Sequence, residues 1–230
     1  VFVGKATVRP QLSHLRSMRL EFVSSHDTGH QCDSVAHHGD DILVGTAGGL
    51  KVFSRVSKQF KLEETRKPIE VAQHDGVIFM AHIRKESVTV LQYSDTATDQ
   101  LFSFPRETNV ANCLSAHTVY LSVINYDKKQ LEIYNRKTGI LTGVKLSADT
   151  DKLYNNCFSS DGGLIVVSYT TNYQLTKYTI ENKFDKASLT EQWSVDVGEH
   201  CYGIAESENG LIFLCGMESK KIHVYDSAGE

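Results

Sequence analysis

The sequence predicts an all-β fold, a β-propeller of about five four-stranded blades, and three recurring features carry that prediction. The first is a short strand that returns five times: Leu50-Lys51-Val52-Phe53, Val88-Thr89-Val90-Leu91, Leu131-Glu132-Ile133-Tyr134, Leu175-Thr176-Lys177-Tyr178 and Ile222-His223-Val224-Tyr225. Measured on the last residue of each, successive copies stand 38, 43, 44 and 47 residues apart. The second is an apolar run rich in β-formers ahead of each copy: Ile42–Val44, Val77–Met80, Val119–Val123, Leu164–Val167 and Leu211–Leu214. The third is a polar, glycine-containing turn before those runs, as in Gly39-Asp40-Asp41, Asp161-Gly162-Gly163 and Glu208-Asn209-Gly210, with the shorter Asp75-Gly76 in the second copy.

In order, each unit reads as a short strand, a turn, an apolar strand, a loop and an alternating strand. A more polar fourth strand closes it, such as Gln100–Phe104 or Glu191–Val195. Helical solenoids have similar periods, but their apolar residues recur every 3.6 positions, and these do not. Counting back 21 residues from Phe53, Leu91, Tyr134 and Tyr178 reaches Cys32, Glu70, Cys113 and Cys157, and a longer turn puts Cys201 in the matching place. Small residues follow two positions later: Ser34, Ala72, Ser115, Ser159 and Gly203. Innermost strands crowd around the propeller axis, so these five segments are predicted to be innermost, with the cysteines and Glu70 at one height.

Residues 1–30 lack the repeat and are expected to be a linker, with Arg19–Ser24 as a candidate closing strand; residues 31–230 form the propeller. A closing strand would make a five-bladed ring. The alternative is an incomplete ring whose sixth blade lies elsewhere, and the absence of an initiating Met and of a secretory signal fits a piece of a longer product.

Composition narrows the function classes. Apolar residues make up 40% and charged residues 23%, and no apolar run reaches the length of a membrane span. Five cysteines without a C-x-x-C pair fit reduced thiols and a cytoplasmic location. A net charge of −4 argues against DNA as a partner, although charge can be segregated onto one face.

Two stretches carry a family resemblance. Gly210-Leu211-Ile212-Phe213-Leu214 leads to Lys221-Ile222-His223-Val224-Tyr225-Asp226-Ser227-Ala228-Gly229, and Leu131-Glu132-Ile133-Tyr134-Asn135-Arg136-Lys137-Thr138-Gly139 repeats the second part. Both resemble the NHL-type repeats in the C-terminal propellers of tripartite-motif (TRIM) proteins. The resemblance spans roughly residues 31–230. It implies a parent with RING, B-box and coiled-coil segments upstream, in which the propeller recruits substrates for a ubiquitin ligase. The zinc-ligand clusters of those segments are not in this sequence, so it implies no catalysis by this chain.

Residues that could carry chemistry are few. The register-matched cysteines lack metal-ligand spacing and read as small core hydrophobes. His37, His74 and His117 fall near the first turn of their blades, where solvated imidazoles are the expectation and a pH-responsive surface the alternative. A lactonase-like metal site would need hard oxygen ligands, for which Glu70, Asn109, Asn155 and Glu199 are the candidates; they do not recur at one height. No cofactor is expected. The leading expectation is a protein partner held by loops on one face. Tyr126, Tyr169 and Tyr173 are candidate anchors beside Arg84-Lys85 and Lys128-Lys129, and Trp193 reads equally well as strand packing. Single-stranded RNA is the alternative partner, since the same basic pairs, with Arg136-Lys137 and Lys220-Lys221, could track phosphates.

Overall fold

A computed structural model describes residues 2–5, 21–25, 27–38, 41–54, 59–64, 68–75, 77–84, 87–93, 98–105, 113–125, 128–147, 152–183 and 186–230. These residues form an all-β structure whose antiparallel sheets are arranged as a five-bladed β-propeller. A pair, β1 (Phe2–Lys5) and β2 (Glu21–Ser25), precedes the blades. Blade one comprises β3 (Cys32–His38), β4 (Asp41–Thr46), β5 (Gly49–Ser54) and β6 (Gln59–Glu64). Blade two comprises β7 (Pro68–His74), β8 (Val77–Arg84), β9 (Ser87–Tyr93) and β10 (Thr98–Pro105). Blade three follows as β11 (Leu114–Ala116), β12 (Tyr120–Asn125), β13 (Gln130–Asn135) and β14 (Leu141–Ser147). Blade four holds β15 (Lys152–Phe158), β16 (Leu164–Tyr169), β17 (Tyr173–Lys183) and β18 (Lys186–Asp196). Blade five has three described strands, β19 (Cys201–Glu206), β20 (Ile212–Gly216) and β21 (Ile222–Tyr225).

In blades one to four the apolar second strands are buried on both faces, which is why they read as continuous hydrophobic runs. In β16, Leu164 and Val166 pack towards blade three, while Ile165 and Val167 pack towards blade five. Alternation along a strand therefore serves two neighbouring blades at once. Apolar clusters of this kind join blades one and two, two and three, three and four, and four and five.

A β-bulge recurs at one register of the innermost strands, between Cys32 and Ser34, Pro68 and Glu70, Leu153 and Asn155, and Cys201 and Gly203. The strand pairings correct the single-height expectation. Cys32 pairs with Thr46 and Cys201 with Gly216, at matching positions of the second strand. Glu70 pairs with Ala81, one step along, and Cys157 pairs with Ile165, further down still. The turns differ in length, since His38 pairs with Asp41 but Phe158 with Leu164, and Thr46 with Gly49 but Tyr169 with Tyr173, so a constant count cannot hold register. None of the five cysteines forms a disulfide; Cys113 and Cys201 are buried and Cys32 and Cys215 exposed. Burial pushes the Cys201 thiol up to about 11, so it stays protonated and unreactive.

Of the candidate closing strand Arg19–Ser24, Glu21–Ser24 lie in β2, whose partner is β1. No described strand pairs with the outer edge of β21. Among the described residues no helix is long and apolar enough to cross a membrane.

Candidate functional site

Antiparallel blades place their loops at two ends. The loops between blades and the turns from second to third strand share one end, here the interblade face. The first turns and the third-to-fourth-strand turns share the other. The five innermost strands surround a central cavity of about 950 Å³ that runs between these faces, lined in part by Ser34, Ala72, Ser115, Asn155 and Gly203.

At the interblade face, blades four and five bring five rings together. Tyr169 ends β16 and Tyr173 begins β17, so a three-residue turn holds their ring centroids 4.7 Å apart. His200 sits in the loop from blade four to blade five. Its ring lies 4.2 Å from Tyr154, 4.3 Å from Tyr202 and 5.1 Å from Tyr173, stacked on the last at 11°. Tyr154 meets Tyr202 edge-on at 6.3 Å, a favourable arrangement for aromatic quadrupoles. The Asn155 side-chain amide donates to the Tyr202 carbonyl and ties the two blades at the cavity mouth. Tyr202 itself is 54% exposed, which makes it the accessible part of the cluster.

The local electrostatics favour the neutral forms of Tyr154 and His200. Burial, reinforced by the neighbouring Tyr173, pushes the Tyr154 phenol up to about 12. Burial lowers the His200 pKa, and Lys152 lowers it further against an opposing pull from Glu218. These two rings therefore offer apolar area and neutral hydrogen-bonding groups near pH 7.

Exposed charge surrounds them. On the interblade face the described lysines Lys128, Lys129, Lys152, Lys220 and Lys221 are exposed, against the exposed acids Asp27, Asp196 and Glu218. Lys129 and Lys220 occupy left-handed backbone conformations, with φ of 50° and 55°, in second-to-third-strand turns of adjacent-but-one blades. Such a conformation is unfavourable for a side chain with a Cβ, so neither turn is built from the residue that local conformation prefers.

The sequence-derived residues divide clearly. Tyr169 and Tyr173 are brought together, and Lys128 and Lys129 lie on the same face. Arg84 ends β8 at that face, while Tyr126 and Lys85 lie outside the described residues. Trp193 packs in the cluster between blades four and five, donates its indole N–H to the Ser227 carbonyl at 3.0 Å, and stacks on Gly229. Sequence reasoning passed over Tyr154, His200 and Tyr202. Their signal was faint, because Tyr154 lies 46 residues before His200 and only the docking of adjacent inner strands joins it to His200 and Tyr202.

The other face carries a histidine pair. The His74 and His117 rings lie 5.2 Å apart across blades two and three, with His74 bonded to Thr118 at 2.9 Å and Asp75 at 3.2 Å. Arg136 donates to the His117 carbonyl at 3.3 Å and lies over the Phe79 ring, 5.0 Å from its centroid. His37 is exposed near the end of β3. Of the candidate metal ligands, Glu199 is buried and accepts bonds from the backbone N–H groups of Glu218 and Ser219 and from His223 at 2.5 Å. These hydrogen bonds, led by Ser219, hold its carboxyl down to about 2. Glu199 thus organises the Met217–Lys221 turn, while Asn155 serves Tyr202 and Asn109 lies outside the described residues. Among the described residues no three His, Cys, Asp or Glu side chains are grouped to hold a metal.

No protein-family model matches the chain, and no curated protein matches it. Solved structures do. A chain of the Mitotic Checkpoint Complex superposes with a TM-score of 0.64 at 10% identity, covering 92% of this chain and 81% of that one. A protein of unknown function from Bacteroides caccae gives 0.62 at 13% identity, covering 93% and 84%. The WD40 domain of Toxoplasma gondii coronin gives 0.61 at 10% identity, covering 86% and 56%. At these identities the likeness is one of fold.

Proposed function

We propose that the chain is a non-catalytic recognition module that holds a protein partner on its interblade face. The observation that carries this reading is the five-ring cluster around His200, with exposed Tyr202 at the cavity mouth and lysines around it. Rigid aromatic area with neutral polar tips is what interface anchors supply, and a fixed blade scaffold lowers the entropy cost of presenting it. The structural neighbours support a scaffold role, since one is a WD40 domain and another is a chain of the Mitotic Checkpoint Complex. Through the NHL-type resemblance, the partner would be a substrate recruited to a TRIM-like ubiquitin ligase.

The test is capture of a partner on the immobilised chain, followed by reconstitution with the purified binder. Tyr202→Ala and the Lys128→Ala/Lys129→Ala pair should each weaken binding by about tenfold or more without lowering the thermal midpoint. Undiminished binding by these variants, with loss on Asp75→Ala at the opposite face, would refute the site.

The excess of lysines among the described residues of this face favours one second reading, single-stranded RNA. Phosphates would meet the lysines, and bases would stack on Tyr202. Titration with an oligouridylate separates the two, because RNA binding predicts affinity that falls steeply with salt, with a log–log slope of about −3 or beyond.

A further inference from the structure

Blade five has an uncovered face at positions that every other blade buries. In the second strands, Cys215 matches Gly45, Ala81, Ile124 and Val167, as shown by their pairing with the inner and third strands. Those four are buried and Cys215 is exposed. In the third strands, Ile222 matches Leu50, Val90, Leu131 and Leu175, all 0% exposed, yet Ile222 is 44% exposed. Phe213 and Val224, paired on the same face, are half-buried. In the other blades this face meets the next blade; no apolar cluster among the described residues joins blade five to blade one.

The edge beside that face is also open. Blades one to four each pair a fourth strand with the third, whereas β21 has no described outer neighbour. The Gly216 N–H donates to the Lys221 carbonyl, so by antiparallel alternation the backbone groups of Ile222 and Val224 point to the free edge. Meanwhile β1 and β2 form an antiparallel pair just ahead of β3 in sequence. That is the order in which β5 and β6 precede β7, or β17 and β18 precede β19.

We infer that the seam beyond blade five is a docking site for three extended strands of defined chemistry. The first is an alternating fourth strand that pairs with β21. An inner hairpin follows, its first strand small-residued and its second wholly apolar, which covers Phe213, Cys215, Ile222 and Val224 and takes β1–β2 as its outer pair. The occupant is thus the inner half of a further blade, the same kind of object that covers this face on the other four. Exposed apolar edges of this type invite strand addition.

The chain contains a probe of the required kind in residues 191–216, which run fourth strand, inner strand, second strand. A copy of 191–216, its two cysteines replaced by alanine, is appended after Glu230, with a scrambled copy as control. In the unmodified chain, Cys215 should react readily with iodoacetamide while Cys113 and Cys201 stay protected. The appended copy should slow Cys215 alkylation by about tenfold or more, with slowed hydrogen exchange across Ile222–Tyr225. Protection of Cys215 in the unmodified chain would mean the face is already covered and would overturn the inference. Equal reactivity with the ordered and scrambled copies would overturn it too.

Discussion

At the scale of single residues, the most consequential group is a lysine in the core. The Lys177 side chain is 4% exposed and survives there because Asp161 accepts its proton donor at 2.6 Å. Burial alone would raise the Asp161 pKa, but Lys177, the Ser159 hydroxyl and the Gly163 N–H together hold it down to about 2. The folded value lies below the ordinary carboxylate value of about 4, so the stability it contributes is full above pH 4 and lost as pH falls towards 2. Asp161→Asn should cost about 1–2 kcal/mol at neutral pH, reduced from a fully buried pair because Asp161 is well exposed. Urea unfolding checks the cost, and the variant should lose its share of the acid slope. Lys177→Met should unfold at a urea midpoint near or above wild type, because it removes the buried charge along with the pair. Lys177 and its strand neighbours Leu175 and Thr176 are all buried. Burial of both blade faces makes Lys177 internal.

At the scale of turns and strands, the Lys129 and Lys220 turns trade stability for a charge. A left-handed residue with a Cβ is strained by about 1–2 kcal/mol, and glycine returns part of that through its freer unfolded chain. Lys220→Gly should therefore be neutral or stabilising by up to about 1 kcal/mol, while weakening partner binding. Equal loss of stability and binding would mean the lysine is structural. Gly163 gives the opposite case: a Cβ there would sit 2.9 Å from the Tyr178 carbonyl and from the Ser159 hydroxyl. Gly163→Ala should lower the thermal midpoint, at a cost of about 1–3 kcal/mol in the denaturant profile. The second and third strands were legible as elements, since their apolar runs and turn residues mark them. Their relative heights were not, because the turns that join the strands differ in length from blade to blade, which a fixed residue count does not capture.

At the scale of the molecule, stability lies in the seams between blades. His117 lies in the seam between blades two and three, against His74 and 5.5 Å from the Phe158 ring of blade four. Burial lowers its pKa, His74 and Arg136 lower it further, and Asp75 opposes them. The folded state thus prefers the neutral imidazole, and the stability this brings is full above pH 6.5 and lost as pH falls below it. The thermal midpoint should fall between pH 7.5 and 5.5, and His117→Phe should flatten that fall. An unchanged slope would remove His117 as its source.

The candidate site shows the same division between local and distant information. Tyr169 and Tyr173 could be named from the chain because one short turn joins them, and the lysine pairs because they sit in recognisable turns. The five repeat units, their strand order and the buried runs likewise follow from periodicity, which depends only on neighbours along the chain. Tyr154, His200 and Tyr202 needed the fold. They converge only when the inner strands of blades four and five dock, and that docking is set by interlocking side chains whose order along the chain says nothing about their height. The open face of blade five is of the same kind: Ile222 looks like Leu175 in sequence, and only the packed ring reveals that one is buried and the other is not.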